Sequence, residues 1–166
     1  MKKVMVTGGA GFIGSNLVKY LLKKKYFVIN VDKLSYSANP YNLKGLNKNK
    51  NYVFFKVDIN DKKNIIKILK KYKPHGIFNL AAETHVDRSI DKPKNFILSN
   101  ILGTYNLLEA VLNYNRKIKL IHVSTDEVYG DVINGRTDEK YPYNPSSPYS
   151  SSKASADHLI KAYVRT

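Results

Sequence analysis

Short apolar runs alternate along this 166-residue chain with stretches in which apolar residues return every third or fourth position. Val4-Met5-Val6 and Phe27–Asp32 are such runs, and Leu17, Val18, Leu21 and Leu22 between them keep helical spacing. A continuous apolar run of strand length is buried on both faces, and a 3.6-residue period lays one stripe of a helix against it. The alternation continues with a strand over 52–59, a helix over Lys62–Tyr72 whose stripe is Ile65, Ile66, Ile68 and Leu69, and a strand over 77–82 after the turn Pro74-His75-Gly76. Asn60 or Asp61 is placed to cap that helix. A long helix from Pro93 carries Phe96, Ile97, Ile101, Leu102, Leu107, Leu108, Val111 and Leu112 on more than one face, so it is sandwiched in the fold or used for self-association. A fifth strand over 119–124 has His122 packed inside it, and a last helix opens at Tyr149. The stretches 33–43 and 83–89 are polar and read as loops. Strands and helices in this order predict an α/β fold, a doubly wound parallel sheet in one domain of ordinary size.

The first strand empties into Gly8-Gly9-Ala10-Gly11-Phe12-Ile13-Gly14. A turn that sets a helix N-terminus directly behind a strand needs positive φ or missing side chains, and a pyrophosphate reaches backbone N–H groups only where no Cβ intervenes. Gly8 and Gly11 suit those two tasks, and Gly14 lets the helix pack closely on the strand. The spacing is G-x-x-G-x-x-G, but its context is that of a dinucleotide cradle: Asp32 ends the next strand about twenty residues on, where an acceptor for ribose hydroxyls is wanted. That carboxylate repels a 2′-phosphate, with Lys33 beside it partly offsetting the repulsion, so NAD is favoured over NADP. Ala81 and Ala82 end the fourth strand with little bulk, leaving room for a ribose and pyrophosphate. Asp58 either reaches an adenine edge or is a plain turn aspartate, and Thr84 and His85 stand where a ligand passes.

Charge changes the picture little. The net charge of +15 comes from 28 basic residues of which only four are arginine, and the lysines are spread, with their densest clusters near predicted helix ends. This is poor equipment for reading nucleic acid. There is no cysteine, and His75, His85, His122 and His158 lack ligand spacing, so no metal site is expected. The first apolar run is too short for a secretory signal and no stretch is long enough to span a bilayer, so the cytoplasm is the expected location.

Two further groups bear chemistry. Thr125, Asp126 and Glu127 follow the fifth strand, where a hydroxyl beside paired carboxylates makes an acid/base arrangement. Tyr149 and Lys153, four apart, face one way on a helix, so the ammonium can lower the phenol pKa and make it a usable base.

Taken together, these residues resemble the extended short-chain dehydrogenase/reductase family, which is Rossmann-like, and within it the nucleotide-sugar 4,6-dehydratases. The resemblance rests on the glycine motif, Asp32 to Tyr36, Asp58-Ile59, the run from Leu80 to Ser89, the run from Ser124 to Gly130, and Tyr149 with Lys153. The glycines and the Tyr-Lys pair mark the superfamily, and the Thr-Asp-Glu triplet discriminates within it. The resemblance implies an NAD-dependent lyase with catalytic residues Thr125, Asp126, Glu127, Tyr149 and Lys153. It implies cofactor contacts from Gly8, Gly11, Phe12, Ile13, Gly14, Asp32, Lys33, Leu34, Ser35, Asp58, Ile59, Leu80, Ala81, Ala82, Thr84, Ser99, Tyr149 and Lys153, and substrate contacts from Thr84 and Thr125. The partner it implies is a nucleotide sugar, with a homodimer through helices near 95–114 and 149–164. Family members continue past the Tyr-Lys helix into a part that grips the nucleotide. On this resemblance, 1–166 is an NAD-binding domain carrying the catalytic residues, truncated before the C-terminal substrate-binding part and weak or inactive alone. An epimerase of the same family, or an NAD-binding scaffold without catalysis, are the competing expectations.

Overall fold

The structure, a computed structural model, describes residues 1–115 and 117–166; Arg116, one of the four arginines, lies outside the described residues. The described chain divides into two compact units, Met1–Ala81 with Asn106–Val123, and Ala82–Tyr105 with Ser124–Thr166.

The first unit is built on five parallel strands among the described residues: β1 (Lys3–Thr7), β2 (Phe27–Asp32), β3 (Tyr52–Lys56), β4 (Gly76–Asn79) and β5 (Lys119–His122). They lie in the order β3-β2-β1-β4-β5, as a doubly wound sheet requires. Strand alternation splits the core by face. Met5, Ile29, Val31 and Ile77 pack with Ile65, Ile68 and Leu69 of α2 (Lys62–Tyr72) and with Leu107, Ala110 and Val111 of α5 (Gly103–Tyr114). Val4, Val6 and Val28 point the other way, onto Val18 and Leu21 of α1 (Phe12–Lys23). Asp61 caps α2 by accepting from the Asn64 N–H at 3.0 Å, and Lys23, Lys70 and Lys71 fall in last helical turns, where cations suit the dipole.

Three strands stop short of their apolar runs. β3 ends at Lys56 opposite Asp32, the end of β2; β4 ends at Asn79 opposite Thr7, the end of β1; and β5 ends at His122 opposite Asn79, so each stops where its partner stops. A single bond continues each ladder, from Val57 N–H to Asp32 O, Leu80 N–H to Thr7 O and Val123 N–H to Asn79 O, before the chains diverge. His122 is half-buried rather than deep in the core, and it closes a polar chain across three strands. Thr7 Oγ1 donates to Asn79 Oδ1 at 2.5 Å, and Asn79 Nδ2 meets His122 Nδ1 at 2.9 Å.

In the second unit, two expectations need correction. The stretch 83–89 is not all loop, since α3 (Val86–Asp91) occupies its second half. Its helical character is hidden by polar composition: His85 enters in extended conformation, Asp87 suits the first turn, and buried Ser89 bonds its own helix through the Val86 carbonyl at 2.6 Å. The helix from Pro93 is not one regular helix either. Its first turn, α4 (Pro93–Phe96), runs into a π-helical segment, Ile97–Leu102, before α5 begins. A π segment holds more residues per turn and rotates the buried stripe, which is why the apolar residues seemed to cover several faces. Phe96 is buried, whereas Ile97, Leu98, Leu102 and Tyr105 are exposed. The unit ends in α6 (Pro148–Arg165), opened by a reciprocal capping box between Ser147 and Ser150 with Pro148 in the first turn.

Among the described residues, no helix is long and apolar enough to cross a membrane.

Candidate active site

In the first unit, β1 lies between β2 and β4, where successive crossovers leave in opposite directions, and its C-terminal end carries the glycine turn. Gly8 sits at φ +71°, and a Cβ there would lie 2.6 Å from Ala81 N and 2.7 Å from the Leu80 carbonyl. Both conformation and space demand glycine. Gly11 is the N-cap of α1 and supplies no side-chain cap, and the first turn holds no acid, so its leading N–H groups remain available to an anion. A Cβ at Gly14 would strike the backbone of Gly8 and Gly9. Its role therefore differs from the expectation: it lets α1 close on the turn itself rather than on the strand.

Asp32 is buried at the end of β2, with one carboxylate oxygen accepting from Ala10 N–H at 2.9 Å and the other from Leu34 N–H at 2.7 Å. A carboxylate has further lone pairs for a ribose hydroxyl, so the two roles are compatible. Leu34 takes φ 60°, and the bond to Asp32 helps hold this left-handed residue. Lys33 pairs with Asp58 at 3.7 Å, so its charge is directed there and offsets Asp32 less than expected. Asp58 also accepts from the Asn60 N–H at 2.9 Å, as a turn aspartate does. Ser35 meets Ser37 at 3.3 Å, Ile59 is buried, and Phe12 and Ile13 stand exposed on the first turn of α1. The first unit thus gathers Gly8, Gly11, Phe12, Ile13, Gly14, Asp32, Leu80 and Ala81 around the C-terminal ends of the three central strands. Lys33, Ser35, Asp58 and Ile59 lie on the flanking connections.

The second unit holds the candidate acid and base residues. Thr125 caps a short 3-10 turn, Asp126–Tyr129, accepting from the Glu127 N–H at 3.3 Å. Thr125 Oγ1 approaches Asp126 Oδ1 at 3.4 Å, and its side chain lies close enough to the Tyr149 phenol to favour loss of its proton. Asp126 and Glu127 are both exposed, while Tyr149 and Lys153 are buried on α6. The Tyr149 ring meets Phe96 edge-on at 6.3 Å between centroids. The proton balance differs from the expectation. Burial pushes the Tyr149 phenol above its ordinary value; Thr125 opposes this, but Glu127 and Asp126 raise it further. Burial pulls Lys153 down to about 8, with Asp157 opposing. The chain alone therefore keeps Tyr149 protonated and Lys153 mostly charged at neutral pH. Ala82 is half-buried, Thr84 exposed, and Ser99 buried within the π-helical segment.

Two residues that hold this unit together escaped the sequence reading. Buried Asn100 accepts from Glu83 N–H at 2.8 Å and donates to Glu83 O at 2.9 Å and Ser152 Oγ at 2.8 Å. A polar residue in an apolar helical run was its only signal. Asp157 accepts from Ser124 Oγ at 2.5 Å and from the Tyr143 hydroxyl at 3.1 Å. Its signal was its place four residues beyond Lys153. Among the described residues, no group of three His, Cys, Asp or Glu is arranged to hold a metal.

A glycine turn at the switch point of a doubly wound sheet, with a Tyr-x-x-x-Lys helix beside a Thr-Asp-Glu turn, defines a protein of the short-chain dehydrogenase/reductase type. The profile of the GDP-mannose 4,6 dehydratase family matches residues 5–166, and the chain belongs to that family. It is 48% identical to the dTDP-glucose 4,6-dehydratase of Haemophilus influenzae over 100% of this chain and 52% of that protein. The solved Bacillus anthracis dTDP-glucose 4,6-dehydratase in complex with NAD is 44% identical, with a TM-score of 0.88, over 99% of this chain and 51% of that one. A UDP-glucose 4-epimerase from Thermotoga maritima, solved with UDP-glucose, is 36% identical with a TM-score of 0.88, over 98% of this chain and 51% of its own. The chain spans about half the length of the relatives it matches.

Proposed function

We propose that this chain carries the cofactor cradle and the acid/base residues of an NAD-dependent dTDP-glucose 4,6-dehydratase, a hydro-lyase acting in the cytoplasm. The observation that carries the reading is the Thr125-Asp126-Glu127 turn set beside Tyr149, whose phenol proton Thr125, Asp126 and Glu127 all act on, in one unit with Lys153. The 48% identity to the Haemophilus influenzae enzyme supports it. The cradle fits the cofactor, because side chains are excluded at Gly8 and Gly14 and backbone N–H groups are left for a pyrophosphate. Asp32 would hold the ribose hydroxyls.

Held by the Gly8-Gly11-Gly14 turn and Asp32, NAD would supply a hydride acceptor for C4 of the hexose and a hydride donor for C6. Thr125 orients the C4 hydroxyl and Tyr149 removes its proton. The C4 ketone acidifies C5, Glu127 takes the C5 proton, and Asp126 protonates the C6 hydroxyl, which leaves as water. Glu127 would return that proton to C5 as hydride reaches C6, which leaves a 4-keto-6-deoxy sugar. Tyr149 must lose its proton although burial holds it, and a charged Lys153 on the same helix face would favour the phenolate. Adjacent carboxylates with opposite roles favour a dehydratase over an epimerase, which needs no proton at a departing hydroxyl. Exposed Ile97, Leu98, Leu102 and Tyr105 support self-association through this helix, and a homodimer is part of the proposal.

Calorimetric titration with NAD, then with dTDP-glucose in the same cell, tests the reading. NAD heat at a stoichiometry of about one site per chain is the expected result. Absence of NAD binding by the folded chain would sink it, and sugar-nucleotide binding in addition would call for an immediate turnover assay.

A further inference from the structure

The acid/base residues of the second unit come from two separate pieces of chain, the segment after β5 and the helix α6, and chemistry at their junction needs them in fixed register. Thr125, Asp126 and Glu127 sit on the first piece, Tyr149 and Lys153 on the second. Asp157 joins the pieces by hydrogen bonds, alongside the approach of Thr125 to Tyr149. Asp157 stands two helical turns after Tyr149 and one after Lys153, so the three share a stripe of α6. Its carboxylate accepts from Ser124, the residue directly before Thr125, at 2.5 Å, a short bond of the charge-assisted kind. The same oxygen accepts from Tyr143, on the connection leading back to α6, at 3.1 Å.

We propose that Asp157 is a positioning residue that braces the Thr125-Asp126-Glu127 segment against the Tyr149-Lys153 helix and keeps the Lys153 ammonium charged beside Tyr149. The assignment of a catalytic use to that charge rests on the dehydratase reading; the brace itself does not.

The surroundings bear this out group by group. On α6, His158 and Lys161 turn to Tyr143, with ring centroids 5.3 Å apart and the ammonium 4.6 Å from the ring centre. Across from α6, Tyr143 and Tyr129 pack edge-on at 5.4 Å, and Glu127 and Asp126 act on Tyr149. The elements packed on α6 add buried Glu83 before α3, exposed Asp87 and Arg88 with Asp91 on α3, and Lys94 on α4, while the Ile97–Leu102 segment carries no charge. Against the burial of Lys153, the charge that works to keep it protonated is Asp157. Burial and the Asp157 carboxylate likewise hold the Tyr143 proton, pushing that phenol up to about 12, so Tyr143 stays a donor to the brace throughout the neutral range.

The test is NMR titration of the chain carrying carbon-13 at lysine Cε, with Lys153→Met to assign the signal. The parent midpoint is expected near 8. Asp157→Asn should lower it by about one unit, a tenfold change in proton affinity, and Asp157→Glu should restore part of the shift, whereas a purely structural role would leave the Lys153 midpoint unmoved in both Asp157 variants. An unchanged midpoint in a folded Asp157→Asn chain overturns the proposal. Should Asp157→Asn not fold, the Asp157 carboxyl carbon is followed in the parent: a step at the Lys153 midpoint supports the coupling and its absence overturns it. None of these readouts needs NAD or turnover. Failure of the NAD titration would therefore strike the dehydratase reading and leave the brace standing, and an immobile Lys153 midpoint would do the reverse.

Discussion

The two units carry their chemistry in different materials. In the first, the groups offered to a ligand are backbone N–H donors, and what positions them is the absence of side chains at Gly8, Gly11 and Gly14. In the second, they are side chains, and what positions them is other side chains: Thr125 on Tyr149, Asn100 on Glu83 and Ser152, Asp157 on Ser124 and Tyr143. A backbone site is broken by adding atoms. A side-chain site is broken by removing a functional group while the fold survives.

The sharpest way to separate them is chemical. Tyr149→Phe keeps the ring against Phe96 and removes only the hydroxyl, so whatever turnover the chain gives with dTDP-glucose should fall about 10²–10⁴-fold with NAD heat unchanged. Loss of NAD binding in that variant would show that the units are not separable in this way. Asp126→Asn should cost turnover on a similar scale, about 10²-fold or more, if water is eliminated. Intact epimerase activity in the variant would favour the competing enzyme.

Gly8→Ala attacks the other side. A positive φ in a non-glycine residue costs about 1–3 kcal/mol, and here a Cβ would also press on Ala81 and Leu80. Lower unfolding free energy together with lost NAD heat is the expected outcome of calorimetry, and a stable variant with parental affinity would contradict the cradle.

Lys153→Met trades function against stability. The folded chain binds the Lys153 proton less tightly than the unfolded one, about 8 against 10.5, so its charge costs stability below pH 8 and the cost is relieved as pH rises toward 10.5. The variant should be more stable than the parent at pH 7, by something on the order of 3 kcal/mol, with the gain fading in alkali. Denaturant midpoints at pH 7 and pH 10 decide this, and an equal difference at both would refute it. The smallest effect belongs to the ion pair on the rim of the cradle. Asp58→Asn should change stability by less than about 0.5 kcal/mol, because the pair with Lys33 is partly exposed. A clear drop in NAD affinity would then mark Asp58 as an adenine contact rather than a turn residue.

These contrasts match what was legible in the sequence. The cradle could be read directly, because strand, glycine turn, helix and the carboxylate of Asp32 are close in the chain and each is dictated by local sterics. The parallel sheet and its two apolar faces followed from run length and helical period, and α2 was found with its stripe and its cap at Asp61. The Tyr-Lys pair and the Thr-Asp-Glu triplet were legible as residues. Their electrostatics were not. Sequence spacing pointed to a phenol made acidic by its lysine, whereas burial in the folded unit raises one group and lowers the other.

Sequence by itself therefore determined the order of strands and helices, the place of the glycine turn, and the chemical types available for reaction, because each depends on residues within about a helical turn or a strand of one another. The closeness of Leu80 and Ala81 that excludes a Cβ at Gly8 does not. Tertiary structure alone decided where strands stop, how the π-helical segment turns the stripe between Phe96 and Leu107, and which distant partners Asn100 and Asp157 find. Strand ends depend on the neighbour's length, and desolvation depends on everything that packs around a group. Neither quantity exists until segments far apart in the chain have come together.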